Sequence, residues 1–194
     1  MKTLTIKGEL RSATGSRSAK DLRSKNFVPC VMYGGEQNIH FGAHERDFAP
    51  ILHSPDLIVA EIEIDGKTYR TILKDAQFDP IKDKVIHIDF QELAQGHKVV
   101  TELPIRLTGM AAGVKAGGRL LQKVRKVKVK ALPENLVSEI VVGVEALEVG
   151  KSIRIRDIDL PGVEFLSSPA LPIATVEVTR AIRSAQAAAA AGKK

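Results

Sequence analysis

The stretch "LIVAEIEIDGKTYRTILK" (57–74) decides the fold class, because its pattern predicts a β-hairpin. Apolar and polar residues alternate on both sides of Asp65-Gly66, a dipeptide typical of two-residue hairpin turns. One face of the hairpin is then apolar, and Tyr69 packs on it, while the other face carries an opposite-charge pair. The predicted register pairs Ile62 with Tyr69, Ile58 with Leu73, and Glu61 with Arg70.

The residues that follow the hairpin, "DAQFDPIKDKVIHIDFQEL" (75–93), predict a turn around Pro80 and then another strand. Within it, "VIHIDF" (85–90) alternates with a period of two, as a half-buried strand does. The alternation predicts that Ile86, Ile88 and Phe90 face inward, and that Val85, His87 and Asp89 face outward.

Upstream of the hairpin, "SAKDLRSKN" (18–26) predicts a short helix capped by Ser18, and Pro29 is expected to end it. The strand "CVMY" follows, and two glycines come directly after its tyrosine. Packing accounts for Tyr69, whereas Tyr33 has no such explanation. The adjacent glycines indicate that the backbone there comes close to whatever lies beside it.

Downstream, the sequence pattern of the chain changes at "AQGH" (94–97), which we take as a domain boundary. Short strand-like segments separated by Gly, Pro or Asn follow it, and Ile and Val are abundant throughout. The chain is therefore predicted to be mainly β, with one domain at 1–94, a second β-rich domain at 95–179, and an alanine-rich basic tail at 180–194.

The charge of the 194-residue chain favours an anionic partner, since the net charge is +6 and the pI is about 9.5. Residues 1–27 contain seven Lys and Arg but two Asp and Glu. The lone cysteine, Cys30, excludes an internal disulfide and is predicted to be a small buried residue. No stretch has a signal-peptide pattern or membrane-spanning length, so we expect a cytosolic protein without a membrane partner.

Enzymatic function is not predicted, although His87 and Asp89 lie two residues apart on one strand face. Catalysis would also need a nucleophile or a metal and a pocket, and no metal-ligand spacing is present. We therefore expect no catalytic residues, no metal, no cofactor and no small-molecule substrate. Two readings of the His87–Asp89 face stay open, a solvated strand face and a surface that hydrogen-bonds a ligand.

Basic side chains near the N-terminus favour the second reading, because such groups bind phosphates. Tyrosine, histidine and aspartate side chains can contact sugars and base edges, and a β-surface suits the wide, shallow minor groove of RNA. The candidate RNA-binding residues from this argument are Arg11, Arg17, Lys20, Arg23, Tyr33, His87 and Asp89.

A second basic segment, "KVRKVKVK" (123–130), also alternates cleanly. It is predicted to place Val127 and Val129 on one face and Lys126, Lys128 and Lys130, here called the lysine row, on the other. A solvated strand face and a contact with phosphates or a partner protein are both open for the lysine row.

Two stretches, "GSRSAKDLRSKNFVPCVMYGG" and "DAQFDPIKDKVIHIDF", resemble the two characteristic segments of bacterial large-subunit ribosomal protein twenty-five. The later stretches "GVKAGGRLLQKVRKVKVKALPENL" and "VGKSIRIRDIDLPGVEF" resemble the second domain of its long form, the general stress protein CTC family. The resemblance covers nearly the whole chain except the alanine-rich tail. Departures from the family pattern occur at Ser16, Asp21, Phe78 and Asp79.

The resemblance implies an N-terminal β-barrel with short helices, followed by a β-rich C-terminal domain. It also implies a structural role on the cytoplasmic ribosome, with 5S ribosomal RNA bound at its loop E region in the central protuberance of the large subunit. Neighbouring ribosomal RNA and ribosomal proteins are the other expected partners. The alternative function is a stress-linked protein–protein interaction module whose basic patches are incidental. RNA-contact positions of the family map onto Arg11, Lys20, Arg23, Tyr33, Gln77, His87 and Asp89.

Overall fold

A computed structural model of the chain describes residues 1–35 and 37–179, and the predicted mainly-β fold is confirmed. The chain divides into two compact units. The first comprises Met1–Thr101 and Ala131–Ser138, and the second comprises Glu102–Lys130 and the chain from Glu139 onward. The domains predicted at 1–94 and 95–179 stay a prediction, and the predicted tail at 180–194 lies outside the described residues.

The first unit is built around one seven-stranded, curled, barrel-like sheet with strand order β1-β5-β6-β7-β3-β4-β2. Two helices accompany it, and the pairs β1–β5 and β3–β7 are parallel. The strands are β1 (Thr3–Lys7), β2 (Glu9–Leu10), β3 (Phe27–Tyr33), β4 (Ile39–His44), β5 (Val59–Ile64), β6 (Lys67–Phe78) and β7 (Val85–Glu92); the helices are α1 (Ser16–Ser24) and α2 (Glu45–Leu52).

The hairpin β5–β6 has the predicted turn, in which Asp65 and Gly66 take φ values of 49° and 78°. Positive φ at both central residues is the requirement of the hairpin turn that Asp-Gly favours. The predicted pairs Ile62–Tyr69 and Glu61–Arg70 are confirmed. The predicted pair Ile58–Leu73 lies beyond the ladder, whose outermost pair is Val59–Ile72.

The core of the first unit lies on one face of this sheet, where α2 covers it. Phe90 contacts both Phe41 and Phe48, with ring centroids 5.9 Å apart in each pair. Cys30 is completely buried, as predicted. Each large apolar side chain buried in this way stabilises the fold by about 1.5–3 kcal/mol. Because the core occupies one face of β3, β4 and β7, their other face is the one left for contact with a partner.

The helix α1 differs from its prediction at the N-terminal end. It begins at Ser16 after Gly15, whose φ is 136°, and no side chain caps it. Ser18 instead donates a hydrogen bond from its hydroxyl to the carbonyl oxygen of Ala13 at 3.1 Å, so the predicted Ser18 cap is wrong. The strand β3 also begins before Pro29, which pairs with Gly42 inside the ladder.

The second unit contains two smaller sheets, with strand orders β11-β8-β10-β13 and β12-β14-β9. Gly113 is buried there, and a Cβ at its position would lie 2.7 Å from the backbone nitrogen of Val149, so a larger residue would displace the backbone. The elements are β8 (Val99–Thr108), α3 (Ala112–Lys115), β9 (Arg119–Gln122), β10 (Lys126–Ala131), β11 (Ile140–Gly143), β12 (Ser152–Arg154), β13 (Val163–Phe165) and β14 (Pro172–Glu177).

Candidate RNA-binding surface

The strand β7 follows the predicted alternation in part. Ile88 and Phe90 are fully buried, and the side chains of His87 and Asp89 are each 31% exposed. The predicted positions of Val85 and Ile86 are wrong, because Val85 belongs to the core and Ile86 is only half-buried. The cause is an irregularity in the β6–β7 ladder, where Gln77 pairs with His87 but Phe78 pairs with Val85. Ile86 therefore has no partner on β6.

Residues directly opposite each other in a ladder lie on the same face of a sheet, so the register shows which side chains share the face opposite the core. Gln77 pairs with His87, Val31 pairs with Asp89, and Tyr33 pairs with Gln91. The structure thus brings together the predicted residues Tyr33, Gln77, His87 and Asp89 on adjacent strands. We call the side of β3, β6 and β7 that carries them the polar face.

His87 and Asp89 interact with each other on the polar face. The distance from His87 Nδ1 to Asp89 Oδ1 is 2.7 Å. A protonated Nδ1 that donates to this carboxylate fixes the orientation of the imidazole and leaves Nε2 available to another partner. Because both side chains are half-exposed, the pair presents one oriented nitrogen and a carboxylate to the surroundings.

Tyr33 ends the strand β3 at the edge of the polar face and is half-buried. Burial raises the pKa of its phenol, and the carboxylates of Asp89 and Asp75 add to the effect. The first glycine that follows has a reason within the chain. Gly34 takes a φ of 99°, which favours glycine, whereas a Cβ on Gly35 would meet only the movable end of the Glu92 side chain.

The helix α1 lies on the same side of the sheet as the polar face. A Cβ on Gly42 would point toward this side and lie 3.7 Å from Leu22 Cδ1, an ordinary van der Waals distance, so Leu22 packs over this glycine. Arg23 donates a hydrogen bond from Nη1 to the carbonyl oxygen of Ile86 at 3.2 Å. Arg17, Lys20 and Arg23 follow one another at intervals of three residues, so they share one side of the helix, and Arg23 reaches β7 next to His87.

Arg11 extends the basic border of the polar face beside β4. Its backbone nitrogen donates to the carbonyl oxygen of His40 at 3.0 Å, which continues the β2–β4 ladder. His40 in turn pairs with Val31, the neighbour of Asp89. The Nε atom of Arg11 is buried and has no hydrogen-bond partner among the described residues. The backbone of Arg11 is thus fixed by strand pairing, while its Nε–H group makes no hydrogen bond within the described residues.

Sequence reasoning missed three further side chains of the polar face, namely His40, Asp75 and Gln91. His40 could have been found from the alternation of "NIHFG", in which it faces away from the buried Phe41. Asp75 could not, because the β6–β7 ladder shifts between Leu73 and Asp75 and thereby reverses the alternation of β6. Such an irregularity depends on the partner strand.

The turn between β6 and β7 contains two of the departures from the family pattern. Asp79 Oδ1 accepts hydrogen bonds from the backbone nitrogens of Ile81 at 2.9 Å and Lys82 at 3.2 Å. These bonds lower the pKa of the Asp79 carboxyl. Asp79 therefore has a structural role in shaping this turn, while Phe78 beside it is exposed.

The lysine row in the second unit has the predicted alternation. Val127 and Val129 are buried, Lys126 and Lys128 are exposed, and Lys130 is half-buried. Lys128 Nζ lies 3.8 Å from Glu102 Oε1 on the neighbouring strand β8. The face of the lysine row therefore also contains a carboxylate, which weakens its attraction for a polyanion.

Within residues 1–35 and 37–179, no group of three His, Cys, Asp or Glu side chains is arranged to hold a metal ion. None of the described helices combines the length and the apolar character that a membrane span requires. The polar face and its basic borders are the one place where the predicted site residues of the first unit meet.

Comparisons with known proteins show which family the chain is similar to. Residues 6–90 match the family model of the Ribosomal L25p family, and residues 98–180 match that of ribosomal protein TL5, C-terminal domain. The chain is 38% identical to the large ribosomal subunit protein bL25 of Bacteroides fragilis and to that of Bacteroides thetaiotaomicron, with 100% of both chains covered in each comparison. The same protein of Phocaeicola vulgatus is 36% identical, again with both chains fully covered.

The two family matches follow each other along the chain in the predicted order. Proteins with these names are structural components of the ribosome, so the predictions that the chain is not an enzyme and that it works on the cytoplasmic ribosome are confirmed. With two matching domains and relatives that are similar over their whole length, the chain belongs to the bL25 family of bacterial large-ribosomal-subunit proteins, in its long form.

Proposed function

We propose that the chain binds 5S ribosomal RNA within the large ribosomal subunit, and that the polar face and α1 make the contact. The observation that carries this proposal is the convergence of Tyr33, Gln77, His87 and Asp89 on one open face. Arg23 and Arg11 lie beside this face, next to β7 and β4 respectively. The family resemblance adds the loop E region and the central protuberance as the proposed location.

The chemistry of the polar face suits an RNA minor groove. Arginine and lysine side chains along its borders can neutralise phosphates and so position the nucleic acid. The side chains between them donate or accept hydrogen bonds, and 2′-hydroxyls and base edges are displayed in a wide, shallow groove. An anion such as Asp89 is costly near phosphates unless it accepts hydrogen bonds, so its presence favours a role in reading the RNA.

The alternative function, a protein–protein interaction module, has one observation in its favour. Ile81 is 89% exposed and Phe78 is 48% exposed at the β6–β7 turn. The cores of protein interfaces are apolar and contain few charged residues. The polar face has the opposite composition, so it supports RNA binding, while a protein contact would use the β6–β7 turn.

The proposal can be tested with Arg11→Ala and Arg23→Ala in the full chain, titrated against 5S RNA at several salt concentrations. Each change should cost up to about 1–3 kcal/mol of binding free energy and should make the salt dependence shallower by about one unit, because a phosphate contact is lost. Arg46→Ala is the matched control, since Arg46 is exposed on α2, which packs against the opposite side of the sheet.

Two results would contradict the proposal. One is that the unmodified chain prefers 5S RNA no more than an RNA duplex of equal length. The other is that the Arg11 and Arg23 variants keep both their affinity and their salt dependence while Arg46→Ala loses affinity. In the second case the RNA would be bound on the α2 side of the sheet.

A further inference from the structure

The polar face contains a second carboxylate, Asp75, that directly faces Asp89. The two residues pair across β6 and β7. Directly opposite side chains in such a ladder have Cβ atoms about 4.5–5.5 Å apart. Asp75 reaches this position because the ladder shifts between Leu73 and Asp75. Regular alternation from the core residue Leu73 would have turned Asp75 toward the core.

No basic side chain neutralises the Asp75 carboxylate among the described residues. Its Oδ1 accepts a hydrogen bond from the backbone nitrogen of Ala76 at 3.0 Å, and Oδ2 stays open on an exposed residue. Asp89 is engaged by His87. Like charges placed directly opposite each other destabilise a sheet, so this pair weakens the free protein.

Gln91 pairs with Tyr33 on the same face and lies two residues beyond Asp89, but its Oε1 is buried and therefore closed to a ligand. The exposed acceptors of this patch include the carboxylates of Asp75 and Asp89. Tyr33 shares this face with the two carboxylates, and Asp89 and Asp75 add to the burial that raises the pKa of its phenol. A ligand that approaches the two carboxylates must supply hydrogen-bond donors.

We infer that Asp75 is a second RNA-reading residue, whose carboxylate accepts a hydrogen bond from a donor in the RNA minor groove. This inference rests on the proposed function. The minor groove offers two kinds of donor, the 2′-hydroxyl of the sugar and the N2 amino group of guanine. A carboxylate accepts from both but is repelled by phosphate. Asp75 would therefore contribute to the choice of RNA more than to the strength of nonspecific binding.

The test uses the full chain with Asp75→Asn, which removes the charge with little change in shape. Affinity is measured for 5S RNA and for an unrelated RNA duplex of equal length. We expect the preference for 5S RNA to fall by about tenfold, because a charge-assisted hydrogen bond is replaced by a weaker one to the amide oxygen of asparagine. Affinity for the unrelated duplex should stay the same or rise, since a repulsive charge is removed.

Asp65→Asn is the matched control, because Asp65 is exposed in the hairpin turn and asparagine suits its positive φ. It removes the same charge from the same unit. The inference is wrong if both variants gain the same affinity for both RNAs and keep the preference for 5S RNA. Asp75 would then act through net charge alone.

Two RNA variants identify the donor. In one, inosine replaces the guanosines of loop E and so removes their N2 amino groups; in the other, single deoxynucleotides remove 2′-hydroxyls. At the contacted nucleotide, the substitution should weaken binding of the unmodified chain more than binding of the Asp75→Asn variant, whose amide oxygen is the weaker acceptor. If every substitution weakens both proteins equally, Asp75 reads no donor and the inference is wrong.

The outcome also separates this inference from the proposed function. If the unmodified chain does not prefer 5S RNA, the proposed function fails first. If it does and Asp75→Asn keeps the full preference, only the role of Asp75 fails. Thermal unfolding of each variant is measured alongside, and Asp75→Ser is used in the same assays should Asp75→Asn not fold.

Discussion

At the scale of single residues, the candidate site is defined by a few side chains on the polar face. His87 and Asp89 hold each other at 2.7 Å, and Tyr33 stands at the end of the next strand, in register with Gln91. Of the two glycines after Tyr33, Gly34 is accounted for by its positive φ, and Gly35 stands beside the movable carboxylate of Glu92. Their role in a close approach to RNA stays a prediction.

The titration of Tyr33 gives a prediction at this scale. Burial and the nearby carboxylates raise the pKa of its phenol, which means that the folded state favours the protonated form. The stability contributed by this group is full below the unfolded pKa of about 10 and is lost as the pH rises through the folded value. Phenolate absorbance of the unmodified chain minus that of Tyr33→Phe should show a component that titrates above 10.

Unfolding measurements provide the second readout. Between neutral pH and strongly alkaline pH, the unmodified chain should lose more stability than Tyr33→Phe. A difference titration at or below the ordinary value of tyrosine would mean that the phenol is neither buried nor close to Asp89 and Asp75.

At the scale of elements, the packing of α1 on the sheet links stability to the candidate interface. Leu22 packs over Gly42 of β4, and Arg23 donates a hydrogen bond to the backbone of β7. The helix has no side-chain cap and no acidic residue in its first turn. Such a short helix depends on tertiary contacts for its stability. Its basic stripe is therefore positioned by Leu22 and Arg23.

Leu22→Ala tests this dependence. The change should lower the free energy of unfolding by about 1–2 kcal/mol, because a half-buried leucine loses its apolar contacts. It should also weaken 5S RNA binding, although Leu22 itself carries no charge. Leu52→Ala is the control, since Leu52 is half-buried on α2 and packs against the core. It should reduce stability by a similar amount and leave RNA affinity unchanged. If both variants bind 5S RNA equally well, α1 is not part of the RNA interface.

At the scale of the whole molecule, charge is divided unevenly between the two halves of the chain. Residues 1–94 contain 13 Lys and Arg against 14 Asp and Glu, whereas residues 95–194 contain 16 against 9. The proposed 5S-binding residues nevertheless lie in the first half. Local placement on α1 and beside the polar face, rather than net charge, is what supports their role in binding.

The lysine row gives the prediction for this scale. Combined Lys126→Gln, Lys128→Gln and Lys130→Gln changes should leave binding of the full chain to isolated 5S RNA unchanged, because these residues lie in the second unit. They should loosen attachment to the assembled large subunit, measured by cosedimentation at rising salt. A loss of isolated 5S binding as large as that of Arg23→Ala would refute this division of roles.

The sequence by itself determined the local features of this protein. The turn dipeptide Asp65-Gly66 fixed the register of β5–β6, since positive φ at both residues is a property of those residue types. The alternation around Val127 and Val129 similarly determined which side of β10 is buried. Both depend on the period of two in strand geometry, which acts within a few residues.

Only the tertiary structure decided the composition of the candidate site. The irregularities that bury Val85 and bring Asp75 opposite Asp89 arise where two strands must pair with unequal numbers of residues. The neighbours of Tyr33 and Arg11 come from the parallel pairing of β3 with β7 and from β4, whose residues are distant in sequence. Pairing between distant segments is set by the packing of the whole core, and so no local pattern could reveal that Asp75 belongs to the polar face.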